Sequence, residues 1–353
     1  VLSDIVMDQS SIVYINIKEH SMAYHFVLVE TESEMAKTKE LLLSSQLHVD
    51  EHLSQTFNLY DDNILIGTIS THENVIKMIA VDKNYQGEQV TAHLLQHVMR
   101  IFEINQVNKY FIFTKPENKG YFMHYPFKLI QETDSIALFE NHLYPINDHL
   151  LSLKLKLRPK HGKRAAIVMN CNPLTNGHLY LIETCAKEVN DVIIFLVQEN
   201  RSVFPFDVRY ELIKKATKHL KNVHILPSTL YMISLATFPT YFLKELNDAS
   251  LKFMELDILI FKNYFMPLFE IDYRYVGTEP KDETTRCYNE TMKRILGDQL
   301  IEIDRKLLHH EVISASTVRQ LMKEKKYHDI KGFVPKVTYQ YLMSKDGKAL
   351  FHA

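Results

Sequence analysis

The chain has 353 residues, 46% of them hydrophobic and 24% charged, ordinary values for a globular protein that exclude disordered and fibrous classes. Lys and Arg number 41 against 43 Asp and Glu, so no overall charge draws it to nucleic acid or to an anionic membrane, and neither is expected as a partner. A prior of roughly one domain per 150 residues gives two domains.

The cysteines, Cys171, Cys185 and Cys287, are scattered and form no CxxC pair, which argues against a disulfide framework or a zinc site. No metal-ligating set is expected, and the compartment is read as reducing and cytoplasmic. The N-terminal stretch VLSDIVMDQSS carries acidic residues and no long apolar core, unlike a signal peptide. No window holds the roughly 18 consecutive apolar residues of a membrane span.

In chain order, residues 1–145 offer strands at Ile64–Ile69, Ile76–Val81 and Tyr110–Thr114. Between the last two, Val90, Leu94, Leu95, Val98, Ile101 and Phe102 recur at helical steps. This is a mixed α/β domain, and its short connections predict antiparallel neighbours. Residues 146–163 read as the connection between domains. Within them LLSLKLKL, residues 150–157, alternates as an edge strand would.

From Arg164 strand and helix alternate as in a parallel, doubly wound sheet. Strand Ala165–Met169 precedes a helix with Leu179, Ile182, Ala186 and Val189 on one face, and strand Val192–Val197 precedes one with Leu212, Ile213, Ala216 and Leu220. Further strands are expected at Val223–Leu226, Asp257–Phe261, Tyr273–Val276 and Leu300–Ile303. Ligands of such sheets bind outside the carboxyl ends of the strands.

The stretch NCNPLTNGH, residues 170–178, lies at that edge, where a strand turns into a helix. A helix N-terminus suits a phosphate. Gly177 allows close approach of the main chain, Thr175 supplies a hydroxyl, and His178 supplies a ring nitrogen able to donate to a phosphate oxygen. It is neither a Walker loop nor GxGxxG. On the tetrapeptide alone, a plain turn with a packed histidine accounts for it as well. A second feature weighs toward the phosphate: ISASTVRQLM, residues 313–322, where Ser314 or Ser316 caps another helix and Arg319 completes a second anion site.

T-x-G-H followed by I-S-x-S-x-x-R resembles the nucleotidyltransferase superfamily. With ATFPTYFLK, YVGTEP and YNETMK, and with VDKNYQGEQVTAHLL and FIFTKPEN in the first half, the chain resembles the citrate lyase ligase family over nearly its whole length. The resemblance implies a C-terminal Rossmann-like doubly wound catalytic domain over 164–353 and an N-terminal acetyltransferase-like (GNAT-like) domain over 1–145. It implies a ligase that uses ATP, with Mg2+, and acetate to acetylate the thiol of the CoA-derived prosthetic group on the citrate lyase acyl carrier subunit. AMP and pyrophosphate are the products, and citrate lyase is thereby activated. The residues alone lead only as far as nucleotidyl transfer from a nucleoside triphosphate. Two other readings stay open: an adenylyltransferase acting on a phosphopantetheine or mononucleotide acceptor, and a non-catalytic nucleotide-binding partner of citrate lyase.

Under the family reading Thr175 and His178 serve the α- and β-phosphates, while Ser314, Ser316 and Arg319 serve the departing pyrophosphate. Asn170, Gly177 and Gly277 complete the ATP site. Gly277, in YVGTEP, is read either as admitting adenine or ribose or as a strand-ending turn. Arg201 meets the acceptor or is a solvated loop residue. Cys171 is read as packing in preference to a nucleophile. Gln86 and Gly87 match an acetyltransferase pyrophosphate loop, although Gln89 stands where that loop has a small residue; they are read either as an acceptor site that grips the CoA-like arm or as part of a scaffold that only docks the partner protein. Leu235 precedes the ATFPTYFLK block where the family pattern leads one to expect Arg.

Overall fold

The computed structural model describes residues 24–50, 53–87, 89–143, 145–158, 160–198, 202–232, 246–280, 282–308 and 311–351. Arg201, Leu235 and the ATFPTYFLK block lie outside the described residues. The chain divides into two compact units at Pro145 and Ile146, and of the helix Leu246–Ile260 the part from Phe253 onward belongs to the second.

In the first unit the elements run β1 (Tyr24–Leu28), α1 (Glu32–Ser44), β2 (Gln55–Asp61), β3 (Ile64–His72), β4 (Val75–Val81), α2 (Val90–Ile104), β5 (Phe111–Thr114), α3 (Lys119–Phe122), β6 (Phe127–Glu132) and β7 (Ala137–Asn141). The sheet order is β1-β2-β3-β4-β5-β7-β6. Every neighbouring pair is antiparallel except β4 and β5, which α2 connects as a parallel crossover. The predicted apolar face of α2 is buried at all six positions and packs with Ile66, Ile76 and Ile112 of the sheet.

The second unit opens with α4 (Ile146–Lys154) and continues β8 (Arg164–Met169), α5 (Asn176–Glu188), β9 (Asp191–Leu196), α6 (Phe206–Ala216), β10 (Val223–Pro227), α7 (Leu246–Ile260), α8 (Met266–Phe269), β11 (Tyr273–Gly277), α9 (Glu283–Leu296), β12 (Leu300–Ile303), β13 (Leu307–Leu308), β14 (Glu311–Val312), α10 (Ala315–Lys323) and α11 (Lys336–Met343). Five strands in the order β10-β9-β8-β11-β12 form an all-parallel sheet. This is the expected doubly wound arrangement.

Two expected strands are helices. LLSLKLKL begins within α4, where Ile146, Leu150 and Leu153 are buried at steps of four and three residues. The helical period outweighs the local Leu and Lys alternation. Asp257–Phe261 closes α7 and enters a π-helical turn, Phe261–Phe265. Leu256, Ile258, Ile260 and Phe261 are all buried, and a helix buried all round leaves the same continuous apolar run as a buried strand. No described helix is long and apolar enough to cross a membrane.

Candidate active site

The parallel sheet grows from β8 through β9 to β10 on one side and continues through β11 to β12 on the other. The carboxyl ends of β8 and β11 therefore flank the point where strand order reverses, which is where such sheets open a crevice. Residues 170–175 leave β8 at this point.

Thr175 is the N-cap of α5, with extended backbone at φ −112° and ψ 167°. Its hydroxyl oxygen accepts from the His178 amide at 3.3 Å, and its own amide donates to His178 Nδ1 at 3.1 Å. The pair is a capping box in which His takes the place of Glu or Gln. Because Nδ1 accepts a backbone N–H, the neutral ring carries its proton on Nε2. Burial, and then the charge of Arg305, push the His178 pKa down to about 4. At neutral pH His178 is thus an uncharged Nε2–H donor in the first turn of a helix. Thr175 is buried, with its hydroxyl 3.0 Å from Nδ1; it orients the histidine.

The two motifs of the sequence come together. A Cβ added to Gly177 would lie 3.2 Å from the Ile313 carbonyl oxygen, so the close approach that Gly177 permits in this structure is that of the turn before α10. Ser314 caps α10, accepting from the Ser316 amide at 3.1 Å, and the two hydroxyl oxygens are 2.5 Å apart. Arg319 Nη1 donates to the Asn172 carbonyl, tying α10 to the β8 loop. Asn176 donates from its amide to the Phe333 carbonyl and from its side chain to the Gly332 carbonyl.

Two arginines join the site that the motifs did not disclose. Arg209, in α6, is fully buried. Its Nη1 donates to the Asn170 carbonyl at 2.9 Å, to Asn170 Oδ1 at 2.7 Å and to the Val197 carbonyl at 2.8 Å, and its Nε donates to the Phe204 carbonyl. Asn170 Oδ1 also accepts from the Ser202 hydroxyl, so Asn170 braces the loop. Arg305, just beyond β12, donates from Nε to the Thr278 carbonyl at 2.6 Å and pairs through Nη2 with Glu279.

At the end of β11, the Gly277 carbonyl accepts from the Asn289 side chain at 3.0 Å. A Cβ on Gly277 would meet Arg305 at 3.7–3.8 Å, an ordinary contact. Cys171 is buried, and burial pushes its thiol pKa upward despite the Arg209 charge, the opposite of what a nucleophile requires.

The first unit holds a separate candidate. Strands β4 and β5 pair only at Val75 with Phe111 and Ile76 with Ile112. Beyond those pairs a cavity of about 570 Å³ is lined by both strands, and Gln86, Gly87, Gln89, Asn118 and Tyr121 contribute to its wall. Gly87 has φ +91°, with no atom near the position of a Cβ. Gln89, the N-cap of α2, takes the left-handed conformation with φ 58° and no side-chain cap.

A parallel, doubly wound sheet with a capped, histidine-bearing helix start and a serine-capped helix at its carboxyl edge defines the nucleotidyltransferase-like class of α/β proteins. The family model for the citrate lyase ligase C-terminal domain matches residues 164–342. The chain is 33% identical over 319 residues to the [citrate [pro-3S]-lyase] ligase of Escherichia coli, covering 88% of this chain and 90% of the relative. It is 32% identical over 330 residues to that of Haemophilus influenzae, covering 90% and 98%. The chain belongs to the citrate lyase ligase family and is an enzyme of the ligase kind. Among solved structures, an acetyltransferase from Streptococcus agalactiae is similar at 12% identity and TM-score 0.30, covering 34% of this chain and 99% of that one. Thermotoga maritima TmcAL bound with α-thio ATP is similar at 13% identity and TM-score 0.34, covering 53% and 57%.

Proposed function

We propose that the second unit binds ATP at the carboxyl edge of its sheet and transfers the adenylyl group to acetate. An acetate carboxylate oxygen, ionised near neutral pH, attacks the α-phosphorus in line. The bond from that phosphorus to the bridging oxygen breaks, and pyrophosphate leaves. The thiol of the CoA-derived group on the citrate lyase acyl carrier subunit then attacks the acetyl carbonyl carbon. The thiol proton passes to solvent, the carbonyl-to-oxygen bond breaks, and AMP departs with the oxygen that acetate supplied. The acetyl thioester activates citrate lyase.

No general base is needed for the first step, so positioning and charge stabilisation carry it. His178 Nε2–H donates to an α- or β-phosphate oxygen, held in that tautomer by Thr175. Ser314, Ser316 and the start of α10 receive the pyrophosphate together with Arg319, whose remaining N–H groups point to that role. Asn170, braced by Arg209, and Gly177 keep the loop and helix start in register. Among the described residues no group of three His, Cys, Asp or Glu side chains is arranged to hold a metal. Mg2+ would enter with the nucleotide substrate and share the charge of its phosphates, as that ion commonly does.

The observation that supports this reading most is the neutral, tautomer-fixed His178 at the start of α5, packed through Gly177 against the capped start of α10. In the first unit, the cavity between β4 and β5 suits the elongated pantetheine portion of the acceptor, with Gln86 and Gly87 at its wall. The test is to follow AMP and pyrophosphate in the presence and absence of acetate and deacetylated citrate lyase. AMP formation that requires both is expected. Pyrophosphate release that ignores acetate and leaves AMP joined to a phosphopantetheine or mononucleotide acceptor would overturn the proposal.

A further inference from the structure

Arg305 lies outside every motif that directed attention to this site, yet its surroundings are built for it. It follows β12, the edge strand that extends the sheet past β11. The YVGTEP segment grips it at two points: the Thr278 carbonyl accepts from Nε, and the Glu279 carboxylate pairs with Nη2. Glu279 is itself fixed, since its other oxygen accepts from the Asp282 amide at 3.1 Å. The stem of Arg305 runs beside Gly277. The guanidinium has five N–H donors, of which these contacts engage a part, and about 29% of the side chain is exposed.

The stretch that carries Arg305 also reaches the start of α5. The Lys306 carbonyl accepts from the Ile313 amide at 3.2 Å, and the Ile313 carbonyl is the group that Gly177 accommodates. Lys306 Nζ sits 5.8 Å from the centre of the Tyr180 ring, in the second turn of α5. The charge of Arg305 is also felt at His178, where it opposes protonation. A guanidinium held on the carboxyl edge by one carboxylate, still partly exposed and within electrostatic reach of the histidine that donates to phosphate, is positioned for an anion that spans both.

We propose that Arg305 is a further ligand-binding residue, one that contacts the β- and γ-phosphates of ATP and then the pyrophosphate, with Glu279 as the carboxylate that aims it. The inference rests on the nucleotide reading of the site. It also gives the YVGTEP segment a function other than adenine contact: the segment carries the clamp for a cation. Because the α-phosphate is reached by His178 and the outer phosphates by Arg305, the residue distinguishes ATP from AMP.

Isothermal titration of ATP, pyrophosphate and AMP into the full chain and into Arg305→Gln tests this, with thermal unfolding run alongside. Loss of a charge-assisted contact predicts ATP and pyrophosphate binding weakened by about 10- to 100-fold, while AMP binding stays within about threefold. Arg305→Lys, which keeps the charge and loses the fork, is expected between the two. ATP binding unchanged in Arg305→Gln, or ATP and AMP weakened alike in both variants, would overturn the role of Arg305 and leave the nucleotide reading standing. No ATP binding by the unaltered chain would overturn both.

Discussion

The two strand-to-helix turns that line candidate sites are built on opposite plans. At the turn from β8 to α5, side chains do the holding: Thr175 and His178 cap each other, Arg209 gathers the strand-end carbonyls, and Arg319 reaches in from α10. At the turn from β4 to α2, Asp82 caps the first residues, but the start of α2 itself rests on backbone: Gly87 and Gln89 both have positive φ, and the α2 cap has no side-chain bond. The first plan fixes a few donors in one orientation, which suits transition-state charge. The second leaves an open wall of main chain and apolar strand, which suits a long and flexible ligand. The contrast predicts that substitutions at the first turn change stability and chemistry together, whereas those at the second change binding with little cost to the fold.

Arg209→Met is expected to have the largest effect on the fold. It leaves the carbonyls of Asn170, Val197 and Phe204 without their buried donor, a loss of about 2–4 kcal/mol. Urea unfolding monitored by circular dichroism measures it. Gln86→Ala, at an exposed position beside the β4 and β5 cavity, is expected to stay within about 0.5 kcal/mol in the same assay. Equal losses at both positions would break the contrast.

The next effect is expected from pH. The native His178 pKa is pushed down to about 4 from the ordinary histidine value of 6.5, so between those values the unfolded chain binds a proton that the native chain refuses. Stability therefore falls as pH drops from about 6.5 toward 4 and is restored as pH rises. His178→Gln removes this contribution, and thermal unfolding at stepped pH should show a shallower acid loss in the variant. Identical slopes would mean that the histidine is not held neutral.

Gln89→Gly is expected to act in the opposite direction. A residue in the left-handed region is relieved by glycine, so a gain of up to about 1 kcal/mol is expected. Dephospho-CoA binding, read by calorimetry on the full chain, should be retained or strengthened as the side chain is removed from the cavity wall. Loss of binding would mean that Gln89 itself contacts the ligand.

These contrasts also explain what sequence patterns revealed. The strands β8, β9, β10, β11 and β12 were readable because a parallel sheet covered on both faces leaves short apolar runs. Thr175, His178 and Ser314 were readable because helix capping imposes local spacing, and Arg319 because it follows one turn into the helix that Ser314 caps. The end of α7 was misread because a fully buried helix and a buried strand share the run Leu256–Phe261, and α4 because Leu and Lys happen to alternate where its helix ends. Arg209 and Arg305 carry no local pattern. Their partners lie up to 39 residues away for Arg209 and 26–27 for Arg305, so only the folded sheet brings them to the site.

The central claim is that acetate attacks the α-phosphorus at this edge of the sheet, and oxygen tracing tests it most directly. With acetate labelled by 18O in both carboxylate oxygens, deacetylated citrate lyase and ATP, the account predicts AMP that carries one labelled oxygen, with production collapsing in His178→Ala. Unlabelled AMP, or label recovered in inorganic phosphate instead, would contradict it.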